Sequence, residues 1–258
     1  MILEMKQEHS PAEGVGVGIE YSFFKKDEKI ASFYAKNKVT IPMEFEGVYN
    51  GENNYKVILE KIEKCPEGYK EGMLAYQYQK EDGTKVGIGK YEYNHYNSNN
   101  EIVGKIKYIY ISPKRKKLFQ LPKSYEYKEF TFKGEKYEMY DVRSGGQVNF
   151  CIYKENELVA IVERALTVIN WLDNYTIYSL NDIDIEFLFL AAAHYDYLNF
   201  EINMPQGRTF NIETGDATIE YRKDILDKYD PDFKQKIIEM EKWKGEFYKV
   251  VSRIVNLN

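Results

Sequence analysis

Hydrophobic and polar residues alternate with a period of two along most of this chain, the spacing of a pleated strand. EIVGKIKYIYI (101–111) sets Val103, Lys105, Lys107, Ile109 and Ile111 on one side and Ile102, Ile106, Tyr108 and Tyr110 on the other. MLAYQYQK (73–80) and KVGIGKYEY (85–93) flank Glu81-Asp82-Gly83-Thr84, where Asp-Gly supplies the positive φ of a tight hairpin. Comparable runs occupy 14–24, 29–35, 39–47, 119–132, 136–142, 146–154, 158–164, 167–171 and 175–180. Pro42 favours a sheet edge for the third of these. NYKVILEKIEK (54–64) fits both periods and reads better as a strand, because Tyr55, Val57 and Leu59 alternate. The pattern predicts about ten to twelve short strands, an antiparallel barrel or sandwich.

One segment breaks the alternation. IEFLFLAAAHYDYL (185–198) has no polar residue between Phe187 and Ala193, and Asp182 and Asp184 stand where a helix needs a cap. A helix that is apolar on every side is surrounded by protein. A closed sheet can bury all of its faces, which two flat sheets cannot do as completely. Its apolar core falls far short of the ~20 residues that cross a bilayer. After a polar stretch at 201–226, with a possible turn at Gly215, Asp230-Pro231-Asp232 opens a second helix. Phe233, Ile237, Met240, Phe247, Val250, Val251 and Ile254 recur there at helical spacing, and Trp243 widens the stripe. Such a stripe packs on the outside of the domain or docks on another chain, with Trp243 and Phe247 as the partner-binding candidates.

Composition narrows the partners. Net charge is −5 from 36 basic and 41 acidic residues, intermixed nearly everywhere, which disfavours nucleic acid. The 24 Tyr and 14 Phe suit a sheet surface. Cys65 and Cys151 are far apart and without a CxxC, so they read as two reduced, buried thiols of a cytosolic protein. The first residues lack the basic and apolar regions of a secretory signal.

Few residues carry chemistry. Gly14-Val15-Gly16-Val17-Gly18 lacks the Gly-Lys-Ser/Thr of a phosphate loop and reads as a glycine-rich strand. Asp182, Asp184 and Glu186 alternate like the start of a calcium loop, but Phe187 stands at the sixth position and Ala193 at the twelfth, so helix capping is the better reading. His9, His95 and His194 have no metal spacing, and no metal site, cofactor or catalytic residue is assigned. Lys114-Arg115-Lys116-Lys117, followed by Leu118 and Phe119, is the sharpest charge cluster. It reads as a solvated loop or as a cradle for anionic headgroups, with Arg143 and Arg164 as further cations that sequence does not place.

The order of elements from 149 to 198 resembles the C-terminal part of tubby-like proteins of the LURP-one-related and phospholipid-scramblase group. The pieces that carry the resemblance are Phe150-Cys151-Ile152-Tyr153, Leu158-Val159-Ala160-Ile161, Tyr175-Thr176-Ile177-Tyr178, the acidic step Asp182 to Asp184, and Phe187 to Ala193. The family helix usually closes the domain, whereas this chain continues well beyond it. The resemblance implies a β-rich fold, a closed antiparallel barrel threaded by a central helix at 183–199. The expected organisation is a tail at 1–12, the barrel at 13–200, and an extension at 201–258 carrying an amphipathic helix at 231–255. It also implies a cytoplasmic, non-catalytic interaction protein, at most peripheral to a membrane, that binds a protein partner or an anionic phospholipid surface. Two alternatives stay open: an immunity or accessory protein that neutralises a toxin, and a hydrolase with acids at the barrel mouth.

Overall fold

The computed structural model describes residues 1–9, 18–35, 44–49, 53–114, 124–144, 147–165, 172–197 and 223–255. In chain order the strands are β1 (Ile2–His9), β2 (Ile19–Lys25), β3 (Glu28–Ala35), β4 (Glu44–Tyr49), β5 (Asn53–Lys61), β6 (Lys70–Glu71), β7 (Ala75–Gln79), β8 (Lys85–Tyr96), β9 (Ile102–Ser112), β10 (Tyr125–Phe132), β11 (Glu135–Ser144), β12 (Gln147–Lys154), β13 (Glu157–Arg164) and β14 (Asn174–Ser179). Helix α1 (Ile185–Asp196), a 3-10 turn (Lys223–Lys228) and helix α2 (Pro231–Val255) follow.

Apart from β5 and β6, each strand pairs antiparallel with its sequence neighbours, and two further pairings make a ring. β1 pairs with β14 (Leu3 opposite Ile177), and β5 pairs with β8 (Val57 opposite His95). Twelve strands thereby close into a barrel, and β6 and β7 attach to the part of β8 that β5 leaves uncovered. The hand-over falls where the β8–β9 register breaks between Ile88 and Glu92. Closure leaves no open edge in the ring.

A twelve-strand ring encloses more space than inward side chains alone can fill, since about eight strands already give a side-chain-filled interior. The surplus is taken by α1. Phe187 through Ala193 are all fully buried. Phe187 stacks on Tyr137 with ring centroids 3.8 Å apart, and Phe189 meets Phe23 edge-on at 5.2 Å. Ala191, Ala192 and Ala193 let the wall come close. Gly47 brings the β4 wall close, since a Cβ there would lie 3.2 Å from the rings of both Phe189 and Phe33.

The start of α1 is fixed by charge. Asp184 caps it, accepting a hydrogen bond from the Glu186 N–H at 2.8 Å. Lys133, in the β10–β11 turn, donates to Asp184 Oδ2 at 3.1 Å and also to Glu186, which accepts a further bond from the Tyr55 hydroxyl. Of the alternating acids seen in the sequence, Asp184 is thus the cap, and Glu186 shares its Lys133 counter-charge. Partial burial works to lower the Lys133 pKa, and the bonds to Glu186 and Asp184 outweigh it and raise it.

A second, smaller core lies outside the ring. Tyr140, Val142, Cys151 and Ile161 point outward from β11, β12 and β13 and are covered by Ile225 of the 3-10 turn and by Phe233 and Ile237 of α2. Covering both faces explains why Val159, Ala160, Ile161 and Val162 form an unbroken apolar run. Lys234 of α2 pairs with Glu163, and the Tyr153 hydroxyl donates to the Lys228 carbonyl at 2.8 Å.

The structure corrects the sequence reading at four places, the first being Cys65, which is exposed while Cys151 is buried as expected. The expected tail at 1–12 contains β1, a ring strand whose inward Leu3, Met5 and Gln7 are buried between β2 and β14. Helix 183–199 begins later, at Ile185, because Asp184 is the cap. The strand at 73–80 is not a ring member but part of the attached β6–β7 hairpin. The strand expected at 167–171, the turn at Gly215, and Gly14 to Val17 lie outside the described residues.

Phe189→Ala is expected to lower the unfolding free energy by about 3–5 kcal/mol, because the closed wall collapses poorly onto the void. Urea titration followed by near-ultraviolet circular dichroism checks this.

Candidate functional site

α1 runs from the barrel end that holds the Lys133 turn to the opposite end, where β9 finishes and β10 begins. This second end is called the exit rim. Tyr21, Tyr175, Lys128 and Phe150 point inward near it, because each shares its strand's inward face with core residues such as Phe23, Ile177, Phe130 and Ile152.

These side chains form a polar layer around the last turn of α1. The fully buried Asp196 accepts hydrogen bonds from the hydroxyls of Tyr21, at 2.5 Å, and Tyr175. Arg164 holds Asp173 in a two-point pair, Nε to Oδ1 at 2.8 Å and Nη2 to Oδ2 at 2.6 Å. Gln7 fixes the Asp173 backbone through its side-chain oxygen and its own N–H, both at 2.9 Å. The Lys128 ammonium lies 5.0 Å from the Tyr195 ring centroid and 5.6 Å from that of Tyr108. Tyr195 stacks on Phe150 at 4.2 Å.

Below this layer His194 meets Tyr93 edge-on at 4.5 Å, and His95 stacks on Phe130 at 4.8 Å. Complete burial pushes the His95 pKa down to about 3. Burial, then the charge of Lys128 and the neighbouring His95, hold His194 well below its ordinary value. Burial and the Asp196 and Asp173 charges hold Tyr175 protonated. Near neutral pH these groups keep one protonation state and act through hydrogen bonds and packing. Among the described residues no group of three or more His, Cys, Asp and Glu converges as metal ligands do.

The exit rim carries the charge. Lys114 is exposed where the β9–β10 connection begins, and its stem lies across Gly83 at the tip of the β7–β8 turn. Gly83 has φ +83°, which favours glycine in the turn, and the exposed Lys114 stem passes where a Cβ would stand, 2.6 Å from its Cδ. Lys80 and Lys85 flank the same turn and are exposed. Hydrogen bonds from Thr84, helped by Lys80 and Lys114, hold the Asp82 carboxyl below its usual value. Arg115, Lys116 and Lys117 follow Lys114 in sequence and lie outside the described residues. Arg164, a candidate for the same patch, is instead inside the barrel with Asp173; the Arg143 side chain lies outside the described ones.

On α2, Phe233 and Ile237 face the barrel, while Trp243 is 67% exposed and Met240 42% exposed. The Phe247 side chain lies outside those described. Sequence reasoning missed Lys80 and Lys85 as companions of Lys114, although the Asp-Gly turn brings both ends of its hairpin together. It also missed Lys128, whose spacing from Phe130 and Phe132 puts it on their inward face.

No helix among the described residues is long and apolar enough to cross a membrane. The fold and site define a class, a closed antiparallel barrel plugged by one apolar helix and clamped outside by another. No family model, curated protein or solved structure matches the chain.

The buried imidazoles give a pH signature. Their folded pKa values lie below that of an unfolded histidine, so the unfolded chain takes up protons first as pH falls. Their contribution to stability is therefore complete above about pH 6.5 and declines toward about pH 3. His95→Leu is expected to reduce the loss of stability between about pH 7 and pH 5 by about 2 kcal/mol. Urea midpoints of both proteins at the two pH values check this.

Proposed function

We propose that this protein is a non-catalytic binding module of tubby-like architecture whose exit rim docks on an anionic phospholipid surface. The observation that carries the reading is the convergence of Lys80, Lys85 and Lys114 on one turn, where the run Lys114-Arg115-Lys116-Lys117 begins. A closed barrel around a single apolar helix is the architecture that the resemblance of residues 149–198 implies, and it supports that part of the reading. The filled interior favours recognition at the rim and outer faces over a ligand held inside, as wider barrels with empty lumens hold theirs. Juxtaposed lysines and arginines attract an anionic leaflet by about 1 kcal/mol each.

A second reading, a protein partner on the outer face of α2, is favoured by the exposure of Trp243 and Met240. Large exposed aromatic side chains are common anchors of protein interfaces.

Vesicle co-sedimentation separates the two. With Lys114, Arg115, Lys116 and Lys117 all replaced by Ser, affinity for phosphatidylserine-containing vesicles is expected to fall about a hundredfold or more. Wild-type binding is expected to weaken steeply with salt. Equal binding by the two proteins would remove the lipid reading. Loss of a captured partner on Trp243→Ala would support the second.

A further inference from the structure

The β6–β7 hairpin carries a feature that the rim reading does not use. Its turn is closed by the Gly72 N–H donating to the Ala75 carbonyl at 3.0 Å, which puts Met73 and Leu74 at the apex. Met73 is 86% exposed and Leu74 79% exposed, and neither joins either hydrophobic core. Single exposed apolar residues are ordinary on a protein surface. Two adjacent ones on a tight apex, at these exposures, make little contact with the described residues.

We propose that this apex is an apolar anchor, with Met73 and Leu74 entering the acyl boundary of the anionic phospholipid surface that the rim lysines approach. The inference rests on the rim reading and adds the group that would penetrate. Strand β7 joins the two: the Met73-Leu74 apex precedes it, and the Lys80 turn follows it. At ~3.3 Å per residue, Leu74 and Lys80 are about 20 Å apart along one hydrogen-bonded hairpin arm. A single flat surface lying along that arm can touch both.

Charge at both ends suits an anionic surface. Glu71, the acid next to the apex, is neutralised by Lys90 at 2.8 Å, while Lys70 is exposed and has no ion pair among the described residues. At the other end Lys80, Lys85 and Lys114 stand against Glu81 and Asp82, with three more cations next in sequence. Shape also selects the occupant. The apex is convex, so a protein partner would need a matching socket, whereas a fluid acyl boundary opens around two side chains without one. Cations beside an apolar tip are the pairing that interfacial binding requires, apolar burial together with attraction to anionic lipid.

The experiment is a binding titration with vesicles of phosphatidylcholine plus phosphatidylserine and with vesicles of phosphatidylcholine alone. The double variant Met73→Ser/Leu74→Ser is expected to bind the anionic vesicles about tenfold more weakly, with the salt dependence of the wild type kept. Its melting temperature is expected to be unchanged, because both side chains lie outside the cores. Met73→Trp is expected to keep binding, with emission that shifts to the blue and is quenched by brominated lipid beyond the wild-type background. A double variant that binds as tightly as wild type, or a tryptophan whose emission does not respond, overturns the anchor while the rim reading stands. Wild-type protein that binds neither vesicle overturns both.

Discussion

The rest of the molecule depends on burying α1 around its whole circumference. A helix with Phe187 to Ala193 apolar on every face has no stable place at a surface, and a ring of twelve strands has no stable interior without a filler of about helix diameter. Each makes the other possible. The polar groups at the two ends of α1 then set its position along the barrel axis. At the start, Lys133 and Tyr55 bind Asp184 and Glu186; at the end, Tyr21 and Tyr175 bind Asp196. A shift of one helical residue would leave a buried carboxylate without its donors, which is costly in a dry interior.

That arrangement also sorts residues by what they are free to do. Arg164, Asp173, Asp196 and the two buried histidines are committed to holding the last turn of α1 in the barrel. The groups left to meet another molecule are on the periphery: the exit-rim lysines, the β6–β7 apex and the outer face of α2. A scaffold with a filled centre and variable margins suits recognition of surfaces, the role proposed here. The covered outer faces of β11 to β13 show that this chain already uses one flank to bind its own C-terminal helix.

Much of the fold was legible in the sequence, for reasons that particular residues make plain. The alternation at 101–111 survives as β9, because one face meets the core and the other meets solvent or charge. The Asp-Gly turn at 82–83 forms as expected, since Gly83 adopts φ +83°. The run at 187–193 announced its own enclosure. β1 was missed because its alternation is short and sits in a charged terminus, where Leu3 and Met5 alone mark the inward face. The β6–β7 attachment was not read, although Gly89 lies within the β8 irregularity between Ile88 and Glu92 and a glycine inside a strand pattern marks a bulge. The polar layer was hidden for a different reason. Arg164 and Asp173 are close in sequence, but Tyr21 and Asp196 are 175 residues apart along the chain, and periodicity says nothing about which distant residues meet.

The pairing of β1 with β14 has a consequence for how the chain is made. The first strand of the ring to be synthesised finds its second neighbour only when the last strand of the ring has emerged. Until then Leu3 and Met5 face no finished core and one backbone edge of β1 stays unpaired. The ring cannot shut during synthesis of its first eleven strands, and the plug arrives only after β14. Nascent chains therefore pass through a long interval as a curled open sheet, a stage at which chaperone capture or edge-to-edge association competes with closure.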